Sequence, residues 1–531
     1  MSSGTATSSE SDRPLLRDAE YAGGIVVLPS VASPDSPRPI LDSLLVAAGK
    51  TGSPEASRLE SFLREPSLAK SLLHWLGPCP SLDKERLVRR LNRDVGMIDQ
   101  LVNRQLNAIL HQPAFQQLEA SWRGLRYLVD RVDDEVERNL KVRVLNASWR
   151  ELERDFERAV EFDQSQLFRK IYEDEFGNPG GEPYGVMLGD YAIHPRPAPG
   201  HPHDDLAVLA SLARVAAAAF CPFIASVSPA MFGLDDFGGL EHRLDHAQTL
   251  QRVDYLKWNA LRKTEDARFV GLTLPRMLMR LPYEDDGTRV DRFCFREDVS
   301  GPDRSKYLWG SAAYAFGGVL LRAFAETGWL ADIRGVQRDV AGGGLAVGLP
   351  AANFGTDKPG VALKSSTEVV VTDCLERELS ELGLIPLCDC LDTEFAAFYN
   401  CPSIQQPKQF DRAAATANAK LSAMLPYMLC VSRFAHYLKV LGRDKTGLFS
   451  EPGELEAFLQ HWIVKYVTTD SEASAEVKAK FPLREAKVEV RDQPGKPGAY
   501  QCIMHLAPHY ELDELSATVR VVTELAPPRG A

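Results

Sequence analysis

Three kinds of residue grouping in this 531-residue sequence have the chemistry of a site: the end of a phosphate loop, histidines beside carboxylates, and runs of adjacent acids. LLVAAGKT (44–51) ends like a phosphate loop, whose turn aims backbone N–H groups at phosphate oxygens. Leu44 stands where the first glycine is required, and the segment lies in a Pro- and Ser-rich stretch. GGG at 342–344 does not complete a GxGxxG pattern, and no GxSxG nucleophile elbow occurs. His201 and His203, with Asp204 and Asp205, offer imidazole and carboxylate donors to a metal, but the two aspartates more simply cap the helix that follows. His242 and His246 share a helix face without forming HExxH, and His505 and His509 flank a strand end. Cys388 and Cys390 would point to opposite faces of a strand, which argues against joint ligation. Asp133–Asp134–Glu135 and Glu284–Asp285–Asp286 read as solvated faces rather than as an acid/base pair. The expectation is therefore no catalytic, cofactor-binding or metal-binding residue.

Composition narrows the class further. Length gives three or four domains' worth of chain at about 150 residues each. Acids outnumber bases, 73 to 61, for a formal net charge of −12. Nucleic acid is an unfavourable partner, because phosphate binding draws on clustered Lys and Arg. The nine cysteines contain no CxxC, and Cys221 and Cys430 sit in apolar runs, as reduced thiols of a cytoplasmic protein would. The first twenty residues carry Glu10, Asp12, Asp18 and Glu20 and lack the basic and apolar regions of a secretory signal. LAVLASLARVAAAAFCPFIA (206–225) holds Arg214 centrally and Pro222 near its end, so it reads as a buried helix running into a strand rather than a membrane span.

The elements fall into four stretches. Residues 1–58 form a flexible Pro/Ser-rich arm in which GGIVVL (23–28) could dock as a strand. Residues 59–135 are helical, with one long helix from about Ser81 to His111. Leu87, Leu91, Val95, Ile98, Val102 and Ile109 recur there at helical steps, so the helix carries a continuous seam that either wants a partner helix, in cis or in trans, or packs on its own domain. An α/β body follows over 136–375, with a strand at KVRVLN (141–146), then a βαβ unit of GVMLGDY (185–191), a helix over 204–219 and PFIASVS (222–228). RFVGLTLP (268–275) is a third strand and 309–329 an apolar helix. Residues 376–531 form a second α/β stretch, where Pro426 should kink or end a helix and three alternating strands, 487–492, 499–508 and 516–525, close the chain. Such a terminal antiparallel sheet has an open edge unless another strand pairs with it.

The sequence also resembles a known family. ILHQPAFQQLEASWRGLRYLV (109–129), GEPYGVMLGDY (181–191), DARFVGLTLPRMLMRLPY (266–283), YLWGSAAYA (307–315), LPYMLCVSRFAHYLKVLGRDKTG (425–447), FPLREAKVEV (481–490) and ATVRVVTEL (517–525) are similar, in order, to the large subunit of the contractile sheath of bacterial type VI secretion systems. The resemblance implies a mixed α/β fold shared with phage-tail sheaths and a non-enzymatic role. It implies a heterodimer with a small sheath subunit, with residues 59–135 pairing with it, and stacking of further copies in sixfold rings. An inner tube of hexamers, a baseplate and an AAA+ ATPase that disassembles the contracted sheath are the other implied partners. Contraction would drive the inner tube out of the cell. Exchanged strands would link neighbours, which places the interface on Leu91, Val95, Ile98, Val102 and Ile109 of the seam and on Val519, Val521 and Thr523 of the last strand. The alternative is a cytoplasmic α/β enzyme with a nucleotide or metal site beyond the strand ends of the βαβ unit, near Gly189–Asp190 and Ser226–Ser228.

Overall fold

Alternating apolar side chains pointing both ways along FIASV and VGLTL require a sheet covered on both faces, and that sheet is the centre of the computed structural model. The structure describes residues 62, 65–76, 83–132, 140–178, 180–242, 246–285, 287, 293–336, 342–353, 363–390, 393–445, 452–470, 473–492, 500–509 and 519–525. The expected arm at 1–58, Ser81 as a cap and the hairpin turn at 493–498 lie outside the described residues. The chain divides into two units, Met1–Ile98 and Asp99–Ala531.

Three helices open the described chain: α1 (Leu68–Leu76), α2 (Lys84–Leu110) and α3 (Pro113–Val129). Pro113, at the first turn of α3, supplies the expected stop to α2. α4 (Trp149–Arg158) starts on a capping box in which Ser148 and Glu151 satisfy each other's backbone N–H. β1 (Met187–Ile193), α5 (Asp205–Ala219) and β2 (Phe223–Val227) make the expected parallel βαβ unit. β3 (Val270–Leu274) and β4 (Ile385–Pro386) extend it into a four-stranded parallel sheet in the order 1-2-3-4. β4 thus joins the sheet from beyond the expected boundary of the body at 375.

Each strand serves two cores. Phe223, Ala225, Val227, Val270, Leu272 and Leu274 pack with α5, while Ile224 and Ile385 face α6 (Ala312–Thr327) and Leu425. α7 (Asp373–Glu381) leads into β4. Further on, a helix ends at Ser422 and α8 (Leu425–Lys445) begins, so Pro426 sits in a first turn, where its missing N–H costs nothing. α9 (Pro452–Val464) then packs with α8 against an antiparallel sheet of β5 (Leu483–Asp492), β6 (Tyr500–Pro508) and β7 (Val519–Leu525).

KVRVLN departs from expectation. Residues 140–148 form no strand and have no ladder partner among the described residues. Lys141 and Arg143 instead reach Glu182 and Glu175 at 2.5 and 2.6 Å, so side-chain pairing holds the segment. Val144 and Leu145 are exposed.

The C-terminus of α5 is closed by α8. Phe220 takes a left-handed φ of 51°, and the Nε2 of His436 lies 3.0 Å from the Ala219 carbonyl. The N–H must be on Nε2 to donate to that carbonyl, which leaves Nδ1 buried without a partner. Burial, helped by nearby Arg433 and Lys439, pulls the pKa of His436 down to about 3. Between that value and the unfolded value of about 6.5 the unfolded chain binds the extra proton, so this group's contribution falls as pH drops through the window. His436→Gln is expected to lessen the acid dependence of stability below about pH 6.5, by up to about 1.4 kcal/mol per pH unit, in denaturation series across pH. Parallel wild-type and variant curves would contradict this.

Candidate functional site

No residue of α2 is buried, although its seam repeats at helical spacing. Leu91 is half-buried, and Val95, Ile98, Leu101, Val102 and Ile109 are exposed, Leu101 to 63%. α3 behaves similarly on one side only. Ala120, Gly124 and Leu128 are buried, and a Cβ at Gly124 would overlap the ring of Tyr314 on α6. Phe115, Leu118, Trp122 and Val129 are exposed on the same helix. Leu118 and Trp122, with residues 140–147 and α6, line an open cavity of about 1430 Å³.

α3 is fastened by buried charge. Arg280 grips Glu297 through two nitrogens at 2.6 and 3.1 Å and reaches Glu119 of α3 at 2.8 Å. Its side chain is 6% exposed and that of Glu297 1%. Burial disfavours both the Glu119 and the Arg280 charge, yet their hydrogen bonds hold Glu119 below its usual range and Arg280 above. Arg276, one helical turn's count earlier in PRMLMRLPY, makes a second fork to Glu368 at 2.6 and 2.7 Å. The sequence signal for these pairs was two arginines inside an apolar run, since a buried guanidinium demands a carboxylate.

The two edges of the C-terminal sheet are unequal. On β5, Val488 N–H donates to Gln460 Oε1 at 2.8 Å, Val490 N–H donates to Glu456 Oε2 at 2.9 Å, and Gln460 Nε2 donates to the Ala486 carbonyl at 3.1 Å. Residues 456 and 460 are four apart on α9, so one helix face caps this edge. Leu483 at the start of β5 bridges to Val467. On the other side β7 pairs, among the described residues, only with β6, and α8 lies beside it. Register fixes which groups are left over. Val488 and Val490 point their N–H away from β6, so their partners Met504 and Cys502 turn theirs toward β7. Met504 and Cys502 oppose Val521 and Thr523, whose backbone groups are thus used within the sheet, as are those of Val519 opposite Leu506. The outward N–H and C=O groups belong to Arg520, Val522 and Glu524. Val519, Val521 and Thr523, the residues expected at an interface, thus turn their backbone groups into the sheet, an alternation that only the register reveals.

The histidines divide. His203 Nδ1 pairs with Glu153 Oε2 at 2.6 Å, and Asp204 accepts from Ala207 N–H at 3.4 Å as the expected cap while binding Lys257. Asp205 does not cap. It is buried and meets His201 Nε2 at 2.8 Å and His194 Nδ1 at 3.3 Å. Burial pushes its carboxyl up, but hydrogen bonds from both histidines overcome this and hold it below its ordinary value. His246 is buried elsewhere, beside Phe232. Cys388 is buried and Cys390 half-buried, and no disulfide joins the described cysteines.

Residues 92–405 match the family model described as EvpB/VC_A0108, tail sheath N-terminal domain, and residues 414–525 match its companion, the tail sheath gpW/gp25-like domain. The chain belongs to the tail-sheath family of type VI secretion. It is similar to the type VI secretion system sheath protein TssC1 of Pseudomonas aeruginosa, at 41% identity over 448 residues, which cover 84% of this chain and 88% of that protein. The first model spans the four-stranded parallel sheet, and the second spans the capped antiparallel one. As a sheath large subunit the chain combines helices and sheets as expected. No helix among the described residues is long and apolar enough to cross a membrane.

Within this sheath body, Arg280→Ala leaves the buried Glu297 without its arginine and Glu119 with Arg123 alone. It is expected to lower stability by about 3–5 kcal/mol in chemical denaturation. A loss under about 1 kcal/mol would show that the fork carries little of the packing of α3.

Proposed function

We propose that this chain is a structural, non-catalytic subunit of a contractile tube in the bacterial cytoplasm. It pairs with a small sheath subunit along the α2 seam of Leu91, Val95, Ile98, Val102 and Ile109. The heterodimers stack as sixfold helical rings around an inner tube of hexamers on a baseplate. Contraction propels the inner tube with its effectors into target cells, and an AAA+ ATPase recovers the spent subunits.

The observation that supports this most is the inequality of the two edges of the C-terminal sheet. A soluble protein ordinarily protects both edges. Here two side chains of α9 cap one edge, while no described strand pairs with the outer side of β7. Strand addition from a neighbour supplies those hydrogen bonds and fixes register by alternate side chains. The exposed seam of α2 supports the second contact, because an apolar stripe of this length is covered in a stable assembly.

Co-expression with the small sheath subunit is expected to give long tubules in electron micrographs. Val522→Pro removes one outward N–H without touching the ladder to β6, and it should abolish tubules while the heterodimer still co-purifies. Ile98→Asp should lose co-purification itself. Normal tubules from Val522→Pro would overturn strand addition at this edge, and normal pairing of Ile98→Asp would remove α2 from the heterodimer contact.

A further inference from the structure

The carboxyl ends of β1 and β2 carry a group of donors that the sheath reading does not use. His194 directly follows β1, Asp205 is the first residue of α5, and His201 lies on the loop between them. That loop carries Pro195, Pro197, Pro199 and Pro202, and Ala198 and His201 exchange backbone hydrogen bonds at 2.9 Å across a turn. The turn depends on Gly200, whose φ of 90° suits glycine. It folds His201 back onto His194, and the rings stack at 3.9 Å with 20° between their planes.

One nitrogen of each ring and a carboxylate oxygen of Asp205 lie within 4.8 Å of one another. His194 Nδ1 is 3.3 Å from Asp205 Oδ2, and His201 Nε2 is 2.8 Å from Asp205 Oδ1. Metal bonds of about 2.0–2.1 Å in a tetrahedron set donors roughly 3.3 Å apart, so small side-chain shifts suffice to seat an ion. The surroundings hold the donors in place. The His194 backbone N–H fixes Asp205 Oδ2 at 2.8 Å, and His194 Nε2 meets Ser228 Oγ at 3.1 Å, the outer contact that orients a ligating imidazole. Asp205 is 1% exposed on its side chain, but His194 and His201 are 24% and 26% exposed, which gives an ion an entry path.

Hydrogen bonding alone also satisfies Asp205, from His201 Nε2 and the His194 backbone N–H, while His194 Nδ1 lies 3.0 Å from the Ala192 carbonyl. The stacked rings must turn for their in-plane lone pairs to converge, and the three donor atoms already lie within 4.8 Å of one another. Convergence of two imidazoles and a carboxylate on one locus is what ligation requires. We propose that His194, His201 and Asp205 bind one divalent transition-metal ion, with zinc the best match to two imidazoles and a carboxylate, and with water in the fourth position. The ion ties the end of β1 to the start of α5 across the proline loop. His203, edge-on to His201 with ring centroids 5.6 Å apart and engaged with Glu153, stands outside the ligand set. The proposal is independent of any partner subunit.

The test uses the purified full-length chain, stripped with a chelator and titrated with Zn(II) by calorimetry and with Co(II) by absorption. One ion per chain is expected, with tetrahedral Co(II) bands and no thiolate charge-transfer band, since no cysteine belongs to the set. His201→Ala, on a part-exposed loop, should keep the wild-type circular dichroism spectrum and weaken Zn(II) binding at least tenfold. His194→Gln should do likewise, and His461→Ala, on α9, should bind as wild type does. Absence of wild-type binding would overturn the site. So would binding that survives His201→Ala, or a Co(II) spectrum dominated by thiolate.

Discussion

A strand at the edge of a sheet presents every second N–H and C=O to whatever lies beside it, and those groups need partners. In this chain the two outer strands of the C-terminal sheet meet that demand differently. β5 is closed by Gln460 and Glu456, whose spacing on α9 matches alternate residues of the strand. β7 ends the sheet, and its outward backbone belongs to Arg520, Val522 and Glu524. Closing one edge has a directional consequence, because a strand from another molecule can add at the other edge only. The same sheet packs on α8 and α9 through Val488, Val490, Cys502, Met504 and Leu506, so an added strand would be tied directly to the second core of the protein.

The rest of the molecule acts as a stiff mount for such contacts. The parallel sheet is buried on both faces, and its neighbours are held by charge pairs out of water, Arg280 with Glu297 and Arg276 with Glu368. Buried pairs of this kind add little net stability but are costly to break, so they favour one arrangement of α3 over alternatives. Apolar surface, by contrast, is left on α2 and on one side of α3. Rigid interior and uncovered rims are the division of labour that a subunit of a large assembly needs.

Much of this was legible in the sequence. Continuous apolar runs with helical connections gave the parallel sheet, since only a doubly covered strand can be apolar at every position. Alternation gave β5 to β7, and three- and four-residue steps gave α2. KVRVLN shows where the pattern misleads. Alternation describes a backbone ready to pair, not the presence of a partner, and Lys141 and Arg143 are engaged by Glu182 and Glu175 instead. Arg280 and Glu297 are seventeen residues apart and Arg276 and Glu368 ninety-two, so no local spacing links them. His194 was missed for the same reason: it meets His201 only because the proline loop turns back, which spacing alone does not encode. The outward set on β7 needed the register of β6 with both neighbours.

Amide hydrogen exchange across Val519–Leu525, compared between the unassembled chain and assembled tubules, tests the central claim most directly. The account predicts slow exchange at Val519, Val521 and Thr523 in both, and fast exchange at Arg520, Val522 and Glu524 that becomes strongly protected only on assembly. Equal exchange of those three amides in both states would show that no backbone from a neighbour completes the sheet.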